Sequence, residues 1–338
     1  MASADSPGAG PVDRDHRTIE LAGRRCRIFV DEPAWLPYLD RTCGRYRVDA
    51  PGPAAELYLT ATPERLPSEA RALLALAGGE LARPWIAQVK GKTVSVEARK
   101  LLVVAAELGV CVIRQPVSSI ASFYYNHLHP LLVEWLARSG VLYAHAGAID
   151  HAATGPLLLA GPRHAGKTTS CLALLTAARC QFLSDDTVLI DDRGQLHTLL
   201  RPMHPERRLC AAWSSQLRRR GIDPDALEPL DDDRLDLDPA RWFADQVVPR
   251  IDPPRALILP WADGAATTRC EPVGPEHAAA VLIAQVHLGV PPVDHALLAR
   301  LANLIALPAL RLHIGCDAFA DPDAVWRSLC NGLEGLGR

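Results

Sequence analysis

The sequence predicts an α/β fold in which a mixed sheet follows a smaller N-terminal α/β or β-rich module. Short alternating apolar runs in the first third predict strands, at residues 25–30, 56–60, 92–96 and 101–104. Beyond residue 140, apolar strands alternate with helix-compatible segments around a glycine-containing turn at 161–168. A length of 338 residues suits two domains. We place the small module at residues 17–118 and the larger core at residues 119–338.

The composition is that of an ordinary globular protein and excludes several classes. Hydrophobic residues make up 49% and charged residues 22% of the chain, which allows a sizeable core. A net charge of −3 and a pI near 6.5 argue against a specific nucleic-acid partner. No window approaches about 18 uncharged apolar residues, so we expect no membrane partner. Since residues 1–15 contain no apolar run, we expect a cytoplasmic protein.

Two further features concern the cysteines and the beginning of the chain. The 9 cysteines are scattered, odd in number and contain no C-x-x-C pair. This pattern predicts reduced thiols rather than a disulfide or metal framework. Residues 1–16 are small, polar and rich in proline and glycine, which predicts a disordered N-terminus.

The core begins with a predicted helix and continues as alternating strands and helices. The helix spans 122–139, where Pro130 kinks it or starts it and Gly140 caps it. Residues 187–191 and 195–200 predict a hairpin, and the charged, proline-punctuated segment 201–254 predicts a helical insertion or lid. The other predicted strands are 141–150, 156–160, 180–186, 255–259 and 310–314, and the other helices are 168–178, 275–288 and 321–333.

The most specific motif is the turn at 161–168, which fits G-x-x-x-x-G-K-[ST] at every fixed position. Lysine occurs at only 4 positions, so composition alone does not supply Lys167. In such loops backbone N–H groups surround phosphates, the lysine neutralises the β- and γ-phosphates and the hydroxyl ligates Mg²⁺. We therefore predict a nucleotide site, with ATP as the cofactor and Thr168 as a Mg²⁺ ligand. Its residues are Gly161, Pro162, Arg163, His164, Ala165, Gly166, Lys167, Thr168 and Thr169.

Two consecutive carboxylates, Asp185 and Asp186, follow the next predicted strand. A carboxylate at such a strand end can hold Mg²⁺, and a second one can accept a proton from a substrate hydroxyl. The alternative is a solvated turn between two strands. The position after the phosphate-loop helix favours the first interpretation.

Three runs together resemble the kinase core of the HPr kinase/phosphorylase family. They are 142–148 (LYAHAGA), 157–169 (LLLAGPRHAGKTT) and 182–186 (FLSDD), and the likeness covers roughly residues 140–200. The resemblance implies a P-loop kinase core of HPr kinase type, in which Lys167 and Thr168 handle ATP and Mg²⁺. It also implies that Asp186 is the catalytic proton acceptor, that Asp185 lies near the metal and that His145 belongs to the catalytic site.

The sequence also departs from that family. Residues 200–206 (LRPMHPE) do not reproduce the family's signature of a metal-binding glutamate beside Arg-Gly, and Glu206 with Arg207 and Arg208 matches it only in part. The chain is therefore more similar to divergent relatives, which include lasso-peptide kinases that phosphorylate a precursor peptide on serine. Family members form hexamers, which leaves a homo-oligomer open.

The interpretation is a kinase that phosphorylates a hydroxyl, with serine of a peptide or protein as the expected acceptor. Two alternatives stay open: a kinase for a small metabolite, and a nucleotide-binding scaffold without transfer. An arginine should complete the phosphate clamp. Arg201, Arg207 and Arg208 are the candidates for substrate binding. Asp263 also follows a strand, but Pro260 and Gly264 predict an ordinary loop there.

Overall fold

The computed structural model of the chain describes residues 15–49, 52, 54–75, 85–89, 92–96, 100–177, 180–199, 201–289 and 293–336. The sequence predicts a disordered tail at residues 1–16, and residues 1–14 of that tail lie outside the described ranges. His16 is a correction to that prediction, because it begins the first strand. Within the described ranges, no helix combines the length and the apolar character needed to cross a bilayer.

The structure is a mixed α/β protein, as the sequence predicts, and its contacts divide it into two compact units. The main division falls between Arg138 and Ser139, and Leu21–Gly23 are grouped with the second unit. The sequence-based boundary at 118/119 stands before the helical segment, whereas this division stands after it.

The N-terminal unit is built on a mixed sheet. Its described strands are β1 (His16–Leu21), β2 (Arg24–Val30), β3 (Ala55–Thr60), β4 (Trp85–Val89), β5 (Lys92–Val96), β6 (Lys100–Val104) and β7 (Leu108–Ile113), and its helices are α1 (Leu36–Cys43), α2 (Ser68–Ala75), α3 (Ile120–Phe123) and α4 (His129–Arg138). The sheet order is β1-β2-β3-β7-β6-β5-β4. Strands β2, β3 and β7 are parallel, and β7, β6, β5 and β4 are antiparallel neighbours. Ala70 and Leu73 of α2 pack on Tyr58 and Val94 of the sheet.

The predicted helix at 122–139 is interrupted. A π-helical turn, Tyr124–Leu128, separates α3 from α4. Ser119 begins the segment, because its Oγ accepts a hydrogen bond from the N–H of Ser122 at 3.1 Å. Pro130 is the second residue of α4 and directly follows the π-helical turn, in which the N–H of His129 bonds to Tyr124 O, so its missing N–H falls where the helical hydrogen bonds already change their spacing. Gly140 follows the helix with a φ of +78°, as expected for a C-terminal cap.

The C-terminal unit contains two larger sheets with helices packed around them. Its described strands are β8 (Leu142–Ala144), β9 (Ala146–Asp150), β10 (Leu157–Ala160), β11 (Gln181–Ser184), β12 (Val188–Ile190), β13 (Leu196–Thr198), β14 (Glu228–Pro229), β15 (Leu235–Asp236), β16 (Arg250–Ile251), β17 (Ala256–Trp261), β18 (Arg269–Val273), β19 (Val286–His287) and β20 (Ala309–His313). Its helices are α5 (Lys167–Ala177), α6 (Arg207–Ala212), α7 (Ser214–Arg219), α8 (Pro239–Trp242), α9 (Pro275–Ile283), α10 (His295–Ile305), α11 (Asp317–Ala320) and α12 (Asp323–Leu336).

The six-stranded sheet has the order β11-β9-β10-β17-β20-β18. Strands β10, β17 and β20 are parallel, and β9 is antiparallel to both β10 and β11. The carboxyl ends of β10, β11, β17 and β20 therefore meet at one edge of the sheet, which we call the site edge. Ala146 and Ala148 of β9 belong to the apolar core under α9 and α10, while Gly147 between them faces α5.

The five-stranded sheet has the order β16-β13-β12-β8-β19 and contains the predicted hairpin of β12 and β13. Strand β8 of this sheet corrects the prediction of a single strand at residues 141–150. The predicted single strand at 141–150 is two strands in different sheets, β8 and β9, with His145 between them.

The segment 201–254, predicted as an insertion or lid, is attached to the core by backbone and side-chain hydrogen bonds. The N–H of Phe182 donates to Gln246 O at 2.7 Å, which places 246–248 beside β11. Gln246 Nε2 donates to Leu175 O at 3.2 Å and to Cys180 O at 2.9 Å. Arg220 Nη2 donates to Thr176 O at 3.0 Å, so two side chains of this segment bind carbonyls at the end of α5.

Candidate active site

The motif at 161–168 forms the predicted strand, loop and helix, with β10 leading in and α5 leading out. Gly166 has a φ of +107°, and a Cβ at this position would lie 2.5 Å from Ile314 Cδ1. Only glycine therefore fits there. His164 also has a positive φ, +65°, and its side chain is exposed. The loop thus holds one non-glycine residue in a conformation that side chains disfavour.

Lys167 lies inside the loop. Its Nζ donates to Gly161 O at 2.6 Å and to Pro162 O at 3.2 Å, and the residue is 7% exposed. Burial lowers the pKa of Lys167, and the charges of Asp186 and Asp185 oppose that shift. The ammonium group is therefore held inside the loop, within the electrostatic influence of both carboxylates.

Asp185 is bound to the first turn of the same helix. Thr168 Oγ1 donates to Asp185 Oδ2 at 2.7 Å, and Asp185 is 5% exposed. Burial and the neighbouring charge of Asp186 raise the pKa of Asp185 to about 7, although the bond from Thr168 and the charge of Lys167 act in the opposite direction. A cation bound beside this carboxylate would favour its ionised form.

The donors at this position fit Mg²⁺. A threonine hydroxyl and a carboxylate are hard oxygen ligands, and Mg²⁺ is commonly held by one or two such groups together with substrate phosphates. Among the described residues, no three His, Cys, Asp or Glu side chains converge as a metal site. Any Mg²⁺ here would thus rely on Thr168, Asp185 and the phosphates.

His145 and Asp186 meet where two chain segments cross between the sheets. The segment of β8 and β9 passes from the five-stranded to the six-stranded sheet at His145. The segment of β11 and β12 passes in the reverse direction at Asp185–Thr187. The two crossings are adjacent, since Ala144 pairs with Val188 and Ala148 with Ser184. We call this pair of crossings the sheet switch.

The sheet switch holds Asp186 between a histidine and an arginine side chain. His145 Nδ1 lies 3.0 Å from Asp186 Oδ1, and Arg201 Nη1 donates to Asp186 Oδ2 at 2.6 Å. The turn itself is fixed by Ser184, whose Oγ accepts from the N–H groups of Asp186 at 3.1 Å and Thr187 at 2.9 Å. The side chain of Asp186 remains 31% exposed, so solvent reaches this carboxylate.

The three candidate arginines have different positions. Arg201 contacts Asp186 and its side chain is 14% exposed. Arg208 instead pairs with Glu206 at 2.5 Å and its side chain is 78% exposed, and Arg207 is also exposed. The structure therefore brings Arg201 to the carboxylate pair, while Arg207 and Arg208 lie on the surface.

Two residues near the site were missed by the sequence analysis. Burial and the charge of Asp186 raise the pKa of Tyr143 to about 12, while a hydrogen bond from Thr187 acts in the opposite direction. His204 has a lowered pKa, caused by burial and by Arg201 and Arg234, with Asp186 opposing. The signal for Tyr143 was its spacing of two from His145 within the predicted strand 141–150. No pattern marks His204 in the sequence.

The resemblance noted from the motifs has no counterpart in wider comparisons. No protein-family model matches the chain, and no curated protein matches it either.

Proposed function

We propose that this chain is an ATP- and Mg²⁺-dependent kinase of the HPr-kinase-like type that transfers the γ-phosphoryl group to a hydroxyl, serine of a peptide or protein. The carrying observation is that two adjacent carboxylates beside the phosphate loop have different surroundings. Asp185 is buried against Thr168, and Asp186 is accessible between His145 and Arg201. Different environments support different roles for two neighbouring carboxyl groups.

The donor side of the site consists of the loop and Asp185. Lys167 now bonds to two loop carbonyls, and both bonds can be exchanged for bonds to phosphate oxygens without moving the helix. Thr168 and Asp185 would hold Mg²⁺, which offsets phosphate charge when it is bound. The raised pKa of Asp185 supports this role, because the carboxylate lacks a full counter-charge of its own.

The acceptor side consists of Asp186 and its two partners. The acceptor oxygen forms a bond to the γ-phosphorus, the bond from that phosphorus to the β,γ-bridging oxygen breaks, and ADP leaves. The hydroxyl proton passes to Asp186, the accessible carboxylate. His145 and Arg201 orient that carboxylate through its two oxygens, one each.

The experiment is mass spectrometry of candidate peptides, incubated with the protein, ATP and Mg²⁺. We expect a gain of about 80 Da on a serine-containing peptide with the wild type, which corresponds to one phosphoryl group. Asp186→Asn should lower the transfer rate by roughly 10²–10⁴-fold, the usual contribution of a general base. It should change ATP affinity much less than the transfer rate, because the proposed ligands of the nucleotide and Mg²⁺ are Lys167, Thr168 and Asp185.

A matched control is Asp192→Asn, which changes a carboxylate in the turn between β12 and β13, outside the sheet switch. That variant should transfer phosphate at the wild-type rate. Transfer to small hydroxyl metabolites but to no peptide would move the proposal to the metabolite kinase. ATP binding without transfer to any acceptor of a broad panel would replace the kinase with the scaffold.

A further inference from the structure

The edge of the six-stranded sheet that lies opposite the site edge carries a cavity with no role in the site described so far. Strands β10, β17 and β20 are parallel and begin at this edge. The cavity has a volume of about 410 Å³, within the range of about 300–1,000 Å³ that is usual for small-molecule sites. We call it the rear cavity. Its walls are residues 153–154 of the turn before β10, residues 255–256 and 308 at the starts of β17 and β20, and the last turns of α12.

The rear cavity is separate from the phosphate loop. Strand β10, Leu157–Ala160, begins near the cavity and ends at the loop. Four strand residues extend over about 13 Å. A small molecule in the rear cavity therefore cannot place a hydroxyl group beside the γ-phosphate, and the cavity is not the acceptor site of the proposed kinase.

Arg255 supplies a positive charge to the rear cavity, and a glycine gives it room. Gly155 has a φ of +70°, and a Cβ there would lie 2.6 Å from Arg255 Cδ and 3.0 Å from its Nε. A side chain at position 155 would therefore displace the arginine. Arg255 is exposed, and in the part of the chain that the structure describes it forms no ion pair. Its guanidinium group is thus available to an anionic group of a ligand.

Glu334 of α12 supplies a negative charge to the same cavity. Burial raises the pKa of the Cys330 thiol, and the charge of Glu334 adds to this shift, so the carboxylate lies near a thiol that lines the cavity. Glu334 is also exposed, and within the described ranges it pairs with no cation. The rear cavity therefore presents two opposite charges that do not neutralise each other.

The turn beside the rear cavity is fixed before any ligand binds. The N–H of Ala153 donates to His151 Nδ1 at 3.1 Å, and His151 O accepts from the N–H groups of Thr154 at 3.0 Å and Gly155 at 2.7 Å. The ring of His151 also contacts that of Trp326 in α12, with centroids 4.2 Å apart. Two walls of the cavity are thus held together, so little conformational entropy is lost when a ligand binds.

The lining of the rear cavity selects the charge of its ligand. A phosphate or dicarboxylate would pair with Arg255 but bring a second negative charge near Glu334, and a diamine would meet the reverse problem. A zwitterion pairs with both groups. The apolar part of the lining suits an apolar body on that zwitterion, and it consists of Ala153, Ala256, Pro308 and Leu333.

We propose that the rear cavity binds a free α-amino acid with an apolar side chain. The carboxylate of the amino acid lies at Arg255, its ammonium group at Glu334 and its side chain against Ala256 and Leu333. Binding at this site does not require the proposed kinase activity, because it uses neither the phosphate loop nor the carboxylate pair.

The test compares leucine with two analogues that each lack one charged group. Isocaproate has the same carbon skeleton without the ammonium group, and isoamylamine has it without the carboxylate. By titration calorimetry, wild type should bind leucine about tenfold or more tightly than either analogue, since each charged group adds a hydrogen bond to an ionised partner.

Two variants assign the charges to their partners. Arg255→Gln should remove the preference for leucine over isoamylamine and keep the preference over isocaproate. Glu334→Gln should do the reverse. Arg193→Gln is the matched control, because Arg193 is an exposed arginine in the turn between β12 and β13, and it should preserve both preferences.

A second measurement needs no variant and covers the case in which a substitution disturbs folding. Cys330 is half-buried in the rear cavity, whereas Cys316 is exposed at the site edge. Leucine should slow the alkylation of Cys330 by N-ethylmaleimide in wild type, and isoamylamine should slow it less. Alkylation of Cys316 should be unchanged by either, as followed by mass spectrometry of the two peptides.

Three results would overturn the amino-acid site and leave the kinase proposal intact. The first is that wild type does not bind leucine. The second is that either analogue binds as tightly as leucine does. The third is that leucine does not slow the alkylation of Cys330.

Discussion

The phosphate loop and the sheet switch solve the same problem in different ways. Both bring charged groups to the site edge through tight backbone contacts. The loop does so locally, with Gly166 at a φ of +107° and Lys167 bonded to carbonyls five and six residues before it. The switch does so between distant segments, since His145 and Asp186 meet only because two crossings lie side by side.

The difference shows where each region can be damaged. A change inside the loop acts on residues that are neighbours in sequence. A change in the switch acts through packing of β9 against α5 and β11, so even a methyl group can displace a carboxylate. Three substitutions test this difference between the loop and the switch, and they are given in order of the expected change in stability.

Asp185→Asn should give the largest effect on stability, and its sign depends on pH. The pKa of Asp185 is raised from 3.8 to about 7 in the folded protein, so the folded state holds its proton more tightly than the unfolded state does. The free energy of unfolding should therefore fall as pH rises from about 4 to about 7, by at most about 4 kcal/mol from this group. Well above pH 7 Asp185 is ionised in both the folded and the unfolded state, so the loss of stability stays constant.

The substitution removes the cost of a buried charge at this position, because asparagine carries no charge and can still accept the hydrogen bond from Thr168. Urea unfolding of ligand-free wild type and Asp185→Asn at pH 5 and pH 8 measures the difference. We expect the variant to be more stable at pH 8 by a few kcal/mol, with a smaller gain at pH 5. An equal gain at both pH values would show that Asp185 is not the source. The same variant should lose Mg²⁺-dependent transfer.

Gly147→Ala should give the next effect, because it tests the packing of the sheet switch. A Cβ at Gly147 would lie 3.0 Å from Cys171 Sγ, 3.2 Å from Ser184 O and 3.3 Å from Asp185 Cα. Two of these neighbours are backbone atoms of the switch, so the strain should cost about 1–3 kcal/mol of stability. Transfer should also slow at saturating ATP.

Gly44→Ala is the control for this substitution. Gly44 has a φ of −56°, and no atom lies within 4 Å of its Cβ position. It should change neither stability nor transfer appreciably. If Gly147→Ala behaves in the same way in thermal unfolding and in the transfer assay, the switch is more tolerant than its contacts suggest.

His164→Gly should give the smallest effect, with a sign opposite to that of Gly147→Ala. His164 has a φ of +65° and an exposed side chain, so its substitution relieves strain without removing packing. We expect a gain of about 1 kcal/mol in the free energy of unfolding. Arg163→Gly, at an exposed loop position without a positive φ, should instead lower stability slightly. Chemical denaturation measures the free energy of unfolding of both variants. A lower value than wild type for both would mean that His164 is not strained.

The local parts of the site could be predicted from the sequence, and the non-local parts could not. The phosphate loop, the hairpin of β12 and β13 and the strand before Asp185 follow from patterns within about ten residues. The change of sheet at His145 leaves no such pattern, because the run 141–150 alternates without a break. Arg201 could not be singled out among three candidates, since its partner lies fifteen residues earlier in sequence.

Other differences have simple physical causes. Strand β18 contains Pro272 and charged residues, which suit an edge strand but hide its strand character. The predicted helix at 275–288 ends at Ile283, because His287 is drawn into a short strand beside β8. Apolar residues in such a segment serve either structure, and only the neighbouring strand decides between them.

The attachment of the segment 201–254 to the end of α5 has a consequence for any redesign of this chain. The side chains of Gln246 and Arg220 donate hydrogen bonds to the carbonyl oxygens of Leu175, Thr176 and Cys180. Removal of the segment would leave those oxygens without these donors at the far end of the helix that begins with Lys167. The segment therefore cannot be removed or replaced without a change at the end of α5. A relative that lacks it must complete that helix end by other means, and a chimera that ignores this should fold poorly.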